Sequence, residues 1–150
     1  MSTSNISQYK KLLNLDPKTE FLPIVHEDAM VAIVYKILEP GNSPYILKIC
    51  ERPNDFHREI FFLEYFAKSL PVPRIIKTVA AGKNISSAIL MHYLPGNLLK
   101  TTDLNHTLAH HIGAVLAQIH SNSTQGFGDL SQPDQLTTDP CFHFTQKFTE

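Results

Sequence analysis

Apolar residues recur along this chain in two rhythms. Ile6, Tyr9, Leu12 and Leu13 stand at helical spacing, so the first segment reads as a short amphipathic helix closed before Pro17. The rhythm then changes. Val31-Ala32-Ile33-Val34-Tyr35-Lys36-Ile37 is β-branched and aromatic, Glu39-Pro40-Gly41-Asn42-Ser43-Pro44 is dense in turn formers, and Tyr45-Ile46-Leu47-Lys48-Ile49-Cys50 is apolar again. That succession predicts a β-hairpin. Pro53-Asn54-Asp55 opens a helix running to about Leu70, where Pro71 and Pro73 stop it.

Two further strands are predicted near Arg74 to Ala80 and Ser86 to Tyr93, separated by Gly82-Lys83-Asn84. Pro95-Gly96 breaks the last of them, and Asp103 is placed to cap a second long helix, Leu104 to His120, with Leu108, Ile112, Val115 and Ile119 on one face. After Ser121 the chain turns polar, with an aromatic patch at Phe142, Phe144 and Phe148. The order is strand, strand, helix, strand, strand, helix, which points to an α+β fold in which an antiparallel sheet carries one packed helix.

Two charges sit awkwardly in this pattern. Lys48 lies inside an apolar strand, on the same face as Ile46 and Cys50. On the following helix, Ile60, Leu63, Phe66, Ala67 and Leu70 define an apolar arc with Phe56, and Glu59 falls inside it. A lone charge on a buried face is expensive, so pairing of Lys48 with Glu59 across the strand–helix interface is the economical arrangement. A snorkelling edge-strand lysine and a glutamate at the rim of the stripe satisfy the same periodicity. Phe61, Phe62 and Tyr65 fall outside the arc and suggest packing on a second side of that helix, or an interaction surface.

Composition narrows the function classes. Thirteen basic residues against fourteen acidic ones give a formal charge of -1, and neither sign forms a long run, which argues against nucleic-acid and membrane partners. No stretch approaches the ~20 apolar residues of a bilayer span. Cys50 and Cys141 are far apart and have no disulfide-scaffold or zinc spacing, so a cytoplasmic setting is expected. His106 and His110 stand one helical turn apart but have no third ligand at suitable spacing, and no metal site is expected.

The succession of Ile46-Leu47-Lys48, a helix with Arg58-Glu59, then Pro71-Val72-Pro73-Arg74-Ile75-Ile76, then Ala88-Ile89-Leu90-Met91-His92-Tyr93-Leu94-Pro95-Gly96 resembles the aminoglycoside and choline phosphotransferase branch of the kinase-like superfamily over residues 21 to 130 or so. The resemblance implies that residues 1–94 form a kinase-like nucleotide-binding N-lobe, with a hinge near 91–94, and that 95–150 begin a helical C-lobe that is cut short. It also implies that ATP is the ligand, with Mg²⁺ in the complete enzyme, and that a small hydroxylated molecule is the acceptor. Lys48 would contact the α and β phosphates and Glu59 would hold it. The backbone of His92 and Leu94 would read the adenine edge, while Leu90 or Met91 would wall the pocket.

The sequence departs from that family in two places. The stretch His26-Glu27-Asp28-Ala29-Met30-Val31-Ala32, where the family places a phosphate-covering loop, contains no glycine. No His-x-Asp-x-x-x-x-Asn pattern follows Gly96, so no residue of this chain is assigned as catalytic. Gly126-Phe127-Gly128-Asp129 reads as a connector, since the family has a similar turn after the first C-lobe helix. The expectation is the nucleotide-binding part of an ATP-dependent phosphotransferase, inactive alone. The alternative is a non-catalytic nucleotide- or protein-binding fragment. With its second lobe incomplete, the chain is expected to expose apolar surface on the long second helix and to be marginally stable or self-associating.

Overall fold

A computed structural model describes residues 3–25, 32–139 and 141. The stretch 26–31 and the aromatic patch at Phe142, Phe144 and Phe148 lie outside the described residues. The chain divides into two compact units, Met1–Pro95 and Gly96–Glu150.

The first unit runs α1 (Thr3–Leu13), β1 (Glu20–Ile24), β2 (Ala32–Leu38), β3 (Tyr45–Cys50), α2 (Pro53–Phe66), β4 (Ile75–Val79) and β5 (Ser87–His92). The five strands form one sheet in the order β1-β2-β3-β5-β4, with every neighbouring pair antiparallel. Alternation along β3 separates two cores. On one face Leu47 and Ile49 join Tyr35, Ile37, Val79, Ala88 and Leu90, and Tyr9 and Leu13 of α1 cover them. On the other face Cys50, Ile89 and Met91 meet Phe56 of α2, flanked by Ile46, Ile60, Leu63 and Ile75. α2 thus packs on one side of the sheet, as expected, and α1 covers the other.

No pattern in the sequence marks β1. Its five residues, Glu20-Phe21-Leu22-Pro23-Ile24, include a proline, which weakens any strand pattern. At the sheet edge a proline costs no ladder bond, and Pro23 sits opposite Tyr35 in register with β2. Phe21 meets Tyr35 edge-on at 5.9 Å, which ties the strand to the α1-side core.

The β2–β3 turn follows its composition. Gly41 takes φ +78°, and the Asn42 amide donates to the Glu39 carbonyl at 3.1 Å. The Glu39 carboxylate also accepts from the Asp16 backbone N–H at 2.8 Å, so the turn holds the linker between α1 and β1. α1 itself ends on Asn14, in the left-handed region at φ 57°.

Tyr9 is the pin between α1 and the sheet. Its ring is 1 % exposed, and its hydroxyl donates to the Ser86 carbonyl at 2.9 Å. Burial pushes its phenol above the ordinary value of 10.0, with the Ser86 contact opposing and Cys50 and Tyr35 adding. A raised folded-state value means that the folded chain keeps a proton the unfolded chain has lost. This contribution is therefore complete below about pH 10 and is lost as pH rises through the folded value. Tyr9→Phe is expected to cost about 1 kcal/mol at neutral pH and to flatten part of the alkaline loss of stability, read by urea unfolding from pH 7 to 11.

The second unit holds a 3₁₀ turn (Thr101–Asp103) and α3 (His106–His120). Asp103 does not cap α3. It closes the 3₁₀ turn, accepting from the Lys100 N–H at 2.9 Å, and Leu104 follows in extended backbone. Asn105 is the cap, accepting from the Leu108 N–H at 2.9 Å. Asp and Asn are comparable caps, and both precede the apolar run, so spacing alone could not separate them. No residue of α3 is buried, and Val115 and Leu116 are 38 % and 49 % exposed. The Gly126–Asp129 stretch is a connector: Phe127 and Thr137 exchange backbone hydrogen bonds at 2.7 and 2.9 Å, and a side chain at Gly126 would strike the Thr137 carbonyl.

Candidate functional site

The site is built on the α2-facing side of the sheet. Register places two cross-strand rows there: Leu22, Lys36, Ile46 and Met91 in one, and Ile24, Val34, Lys48 and Ile89 in the other. α2 packs on β3, β5 and β4. At the β1–β2 end, which no helix among the described residues of this unit covers, Leu22 and Ile24 are 43 % and 44 % exposed, and Val34 and Ile46 are half-buried. A largely apolar ledge, broken by Lys36 between Leu22 and Ile46, therefore runs from the sheet edge up to the Lys48 ammonium.

Lys48 and Glu59 are brought together. The ammonium donates to one oxygen of the Glu59 carboxylate in a direct ion pair, with both side chains mostly buried. Neither snorkels away from the interface. Helical phase aims Glu59 at β3, and the flanking Phe56, Ile60 and Leu63 seat α2 on the sheet. The carboxylate fixes the direction of the ammonium while leaving its other donors to a ligand.

An open cavity of about 450 Å³ adjoins the pair. Its polar wall is Lys48, Glu59, Asp55 and Arg58, and its apolar wall includes Phe62, Leu63 and Val72. One Asp55 carboxylate oxygen is turned out of water with no hydrogen-bond partner among the described residues. Cys50 also lines the cavity, and burial, with Glu59 adding and Lys48 opposing, raises its thiol above the ordinary value. Among the described residues no group of three or more His, Cys, Asp or Glu side chains is arranged to hold a metal ion.

The segment at 91–94 leaves the sheet a short way along from Lys48. Met91 is 5 % exposed, on the same face as Lys48 and within the α2-side core. Leu90 belongs to the opposite core, so of the two only Met91 shares a face with Lys48. The His92 N–H donates to the Arg74 carbonyl at 3.0 Å and is taken up by the sheet. The His92 side chain is exposed, its ring edge-on to Tyr45, and Leu94 is half-exposed. Met91, His92 and Leu94 do not line the cavity beside Lys48.

Leu22, Ile24, Val34 and Asp55 belong to this neighbourhood but carry no site signal in the sequence, while Phe62, read there as second-side packing or an interaction surface, lines the cavity. For Val34 the alternation of β2 together with that of β3 held the signal. For Leu22 and Ile24 there was none without β1.

The phosphotransferase enzyme family model matches residues 31–141. No curated protein matches the chain. Among solved structures, a protein from Ralstonia eutropha JMP134 described as a candidate aminoglycoside phosphotransferase superposes with a TM-score of 0.60 at 15 % identity, over 83 % of this chain and 39 % of that one. A kinase of Cydia pomonella granulovirus, PK-1, gives a TM-score of 0.49 at 16 % identity, over 81 % of this chain and 48 % of that one. The chain thus spans about two fifths of the Ralstonia protein and about half of the viral kinase. The Ralstonia structure shares the kinase-like fold, and no helix among the described residues is long and apolar enough to cross a membrane. Because the family model covers most of its length, this chain belongs to the phosphotransferase enzyme family.

Proposed function

We propose that this chain is the nucleotide-binding part of an ATP-dependent phosphotransferase that phosphorylates a hydroxyl group of a small molecule. The observation that carries the reading is the Lys48–Glu59 ion pair beside an open cavity and an uncovered apolar ledge. A fixed ammonium neutralises a polyphosphate, and Leu22, Ile24, Val34 and Ile46 offer a flat apolar surface to a purine. Met91 would flank the base, and the main chain of His92 and Leu94 would read its edge. When bound, Mg²⁺ would neutralise charge shared by the phosphates.

Transfer also needs an aspartate that orients the acceptor hydroxyl, and the family's pattern for it does not occur after Gly96. This chain therefore supplies binding and positioning. The role fits a cytoplasmic protein, and the exposed apolar residues of α3 would promote self-association.

The test is ligand protection. MgATP at saturating concentration is expected to raise the melting temperature of the chain by several degrees, and excess unlabelled ATP to displace a fluorescent analogue. A melt unmoved by MgATP, with a stable complex formed with another protein instead, would transfer the role to the non-catalytic interaction reading.

A further inference from the structure

We propose that Lys36 and Tyr93 form a wall closing the base end of the nucleotide slot, and that this pair positions the hinge against the sheet; the inference rests on the nucleotide reading above. Lys36 is the second lysine on the ligand-facing side of the sheet, opposite Ile46 in the row next to Lys48. It has no carboxylate within ion-pair distance among the described residues. Its ammonium stands over the Tyr93 ring at 4.3 Å from the centroid. Both side chains are half-buried.

The backbone around Tyr93 is held from two sides. Its N–H donates to the Pro44 carbonyl at 3.4 Å, and the preceding His92 N–H donates to Arg74 on the other side. On the face away from the slot the His92 ring meets Tyr45. On the slot face, Lys36 over Tyr93 fastens the sheet to the segment whose main chain would meet the base. A cation held by a ring keeps its full charge, so it orders the hinge without cancelling the positive field of the slot.

This assigns Lys36 and Tyr93 to the nucleoside and Lys48 to the phosphates, and the two ends can be measured separately. Displacement of a fluorescent ATP analogue by MgATP and by magnesium tripolyphosphate, which has no base, reads them. Lys36→Met and Tyr93→Leu are each expected to weaken ATP about three- to tenfold while leaving tripolyphosphate within about twofold. Lys36→Arg and Tyr93→Phe, which keep a cation over a ring, should bind as the parent does. The double variant Lys36→Met with Tyr93→Leu should be no weaker than either single change.

Parallel loss of both ligands would mean a general effect on charge or folding and would overturn the assignment, as would undiminished ATP binding in Lys36→Met. Lys48→Met should weaken both ligands, and this separates the underlying reading from the inference. If the parent chain binds neither ligand, the nucleotide reading itself falls; if it binds both through Lys48 and the Lys36 variants are silent, only the wall does.

Discussion

Lys48→Met is expected to remove most of the protection that MgATP gives against unfolding, while leaving the fold in place. Methionine keeps the length and apolar stem of lysine, so the packing beside Ile46 and Cys50 survives, while loss of the ammonium leaves Glu59 unpaired and lowers the stability of the unliganded chain. A hydrogen bond to a charged group contributes about 1.5–3 kcal/mol, which corresponds to binding weaker by roughly 10- to 100-fold. At ligand concentrations one hundred times the parent's dissociation constant, the parent gains about 2.7 kcal/mol. The variant should gain about 1.4 kcal/mol at tenfold loss and about 0.4 kcal/mol at a hundredfold.

Glu59→Gln should fall between parent and variant, since an amide oxygen can still accept from Lys48 but carries no charge to fix it. Urea unfolding at several MgATP concentrations makes the measurement. A Lys48→Met protein protected as strongly as the parent would show that the ion pair merely fastens α2 to β3.

The second large effect contrasts two neighbours on β3. Leu47 is completely buried in the α1-side core, whereas Ile46 is half-buried on the α2-side ledge. Leu47→Ala deletes buried atoms and leaves a cavity that a closely packed sheet face cannot refill, at about 3–5 kcal/mol. Against the 5–15 kcal/mol typical of whole domains, that removes roughly a fifth to all of the stability and should lower the melting temperature sharply. Ile46→Ala should cost roughly half as much or less because its site is partly hydrated, yet it should weaken ATP several-fold by removing part of the ledge. Circular dichroism melts with and without MgATP distinguish the two patterns. Equal stability losses and equal ATP affinities would contradict the assignment of the two faces.

Much of this arrangement was legible in the chain itself, and the reasons are specific. Lys48 and Glu59 could be paired because each broke the hydrophobic rhythm of its own element, and two unsatisfied charges on facing surfaces have few other solutions. The hairpin was legible because Glu39 to Pro44 concentrate turn chemistry between two β-branched runs. β1 was hidden because its stability comes from a partner strand and from Phe21 on Tyr35, neither of which marks five residues around a proline as a strand.

The two sheet faces could not be apportioned for the same reason. The run Ala88-Ile89-Leu90-Met91 is apolar throughout, so nothing in it says whether Leu90 or Met91 shares the face of Lys48; pairing with β3 decides it. Asn105 displaced Asp103 as a cap through a 3₁₀ turn whose hydrogen bonds are local and whose sequence is permissive.

The turn between β2 and β3 has a consequence for anyone modifying this protein. Exposed, rich in proline and glycine, and at the tip of a hairpin, it has the features usually sought for inserting an epitope or a fluorophore. Yet its first residue, Glu39, restrains the linker after α1, and its last, Pro44, accepts from Tyr93 at the exit of the sheet. Lengthening it at either end would loosen both the entry to β1 and the exit from β5. An insertion should go between Asn42 and Ser43, which keeps the bonds of Asn42 to Glu39 and the Pro44–Tyr93 contact in place.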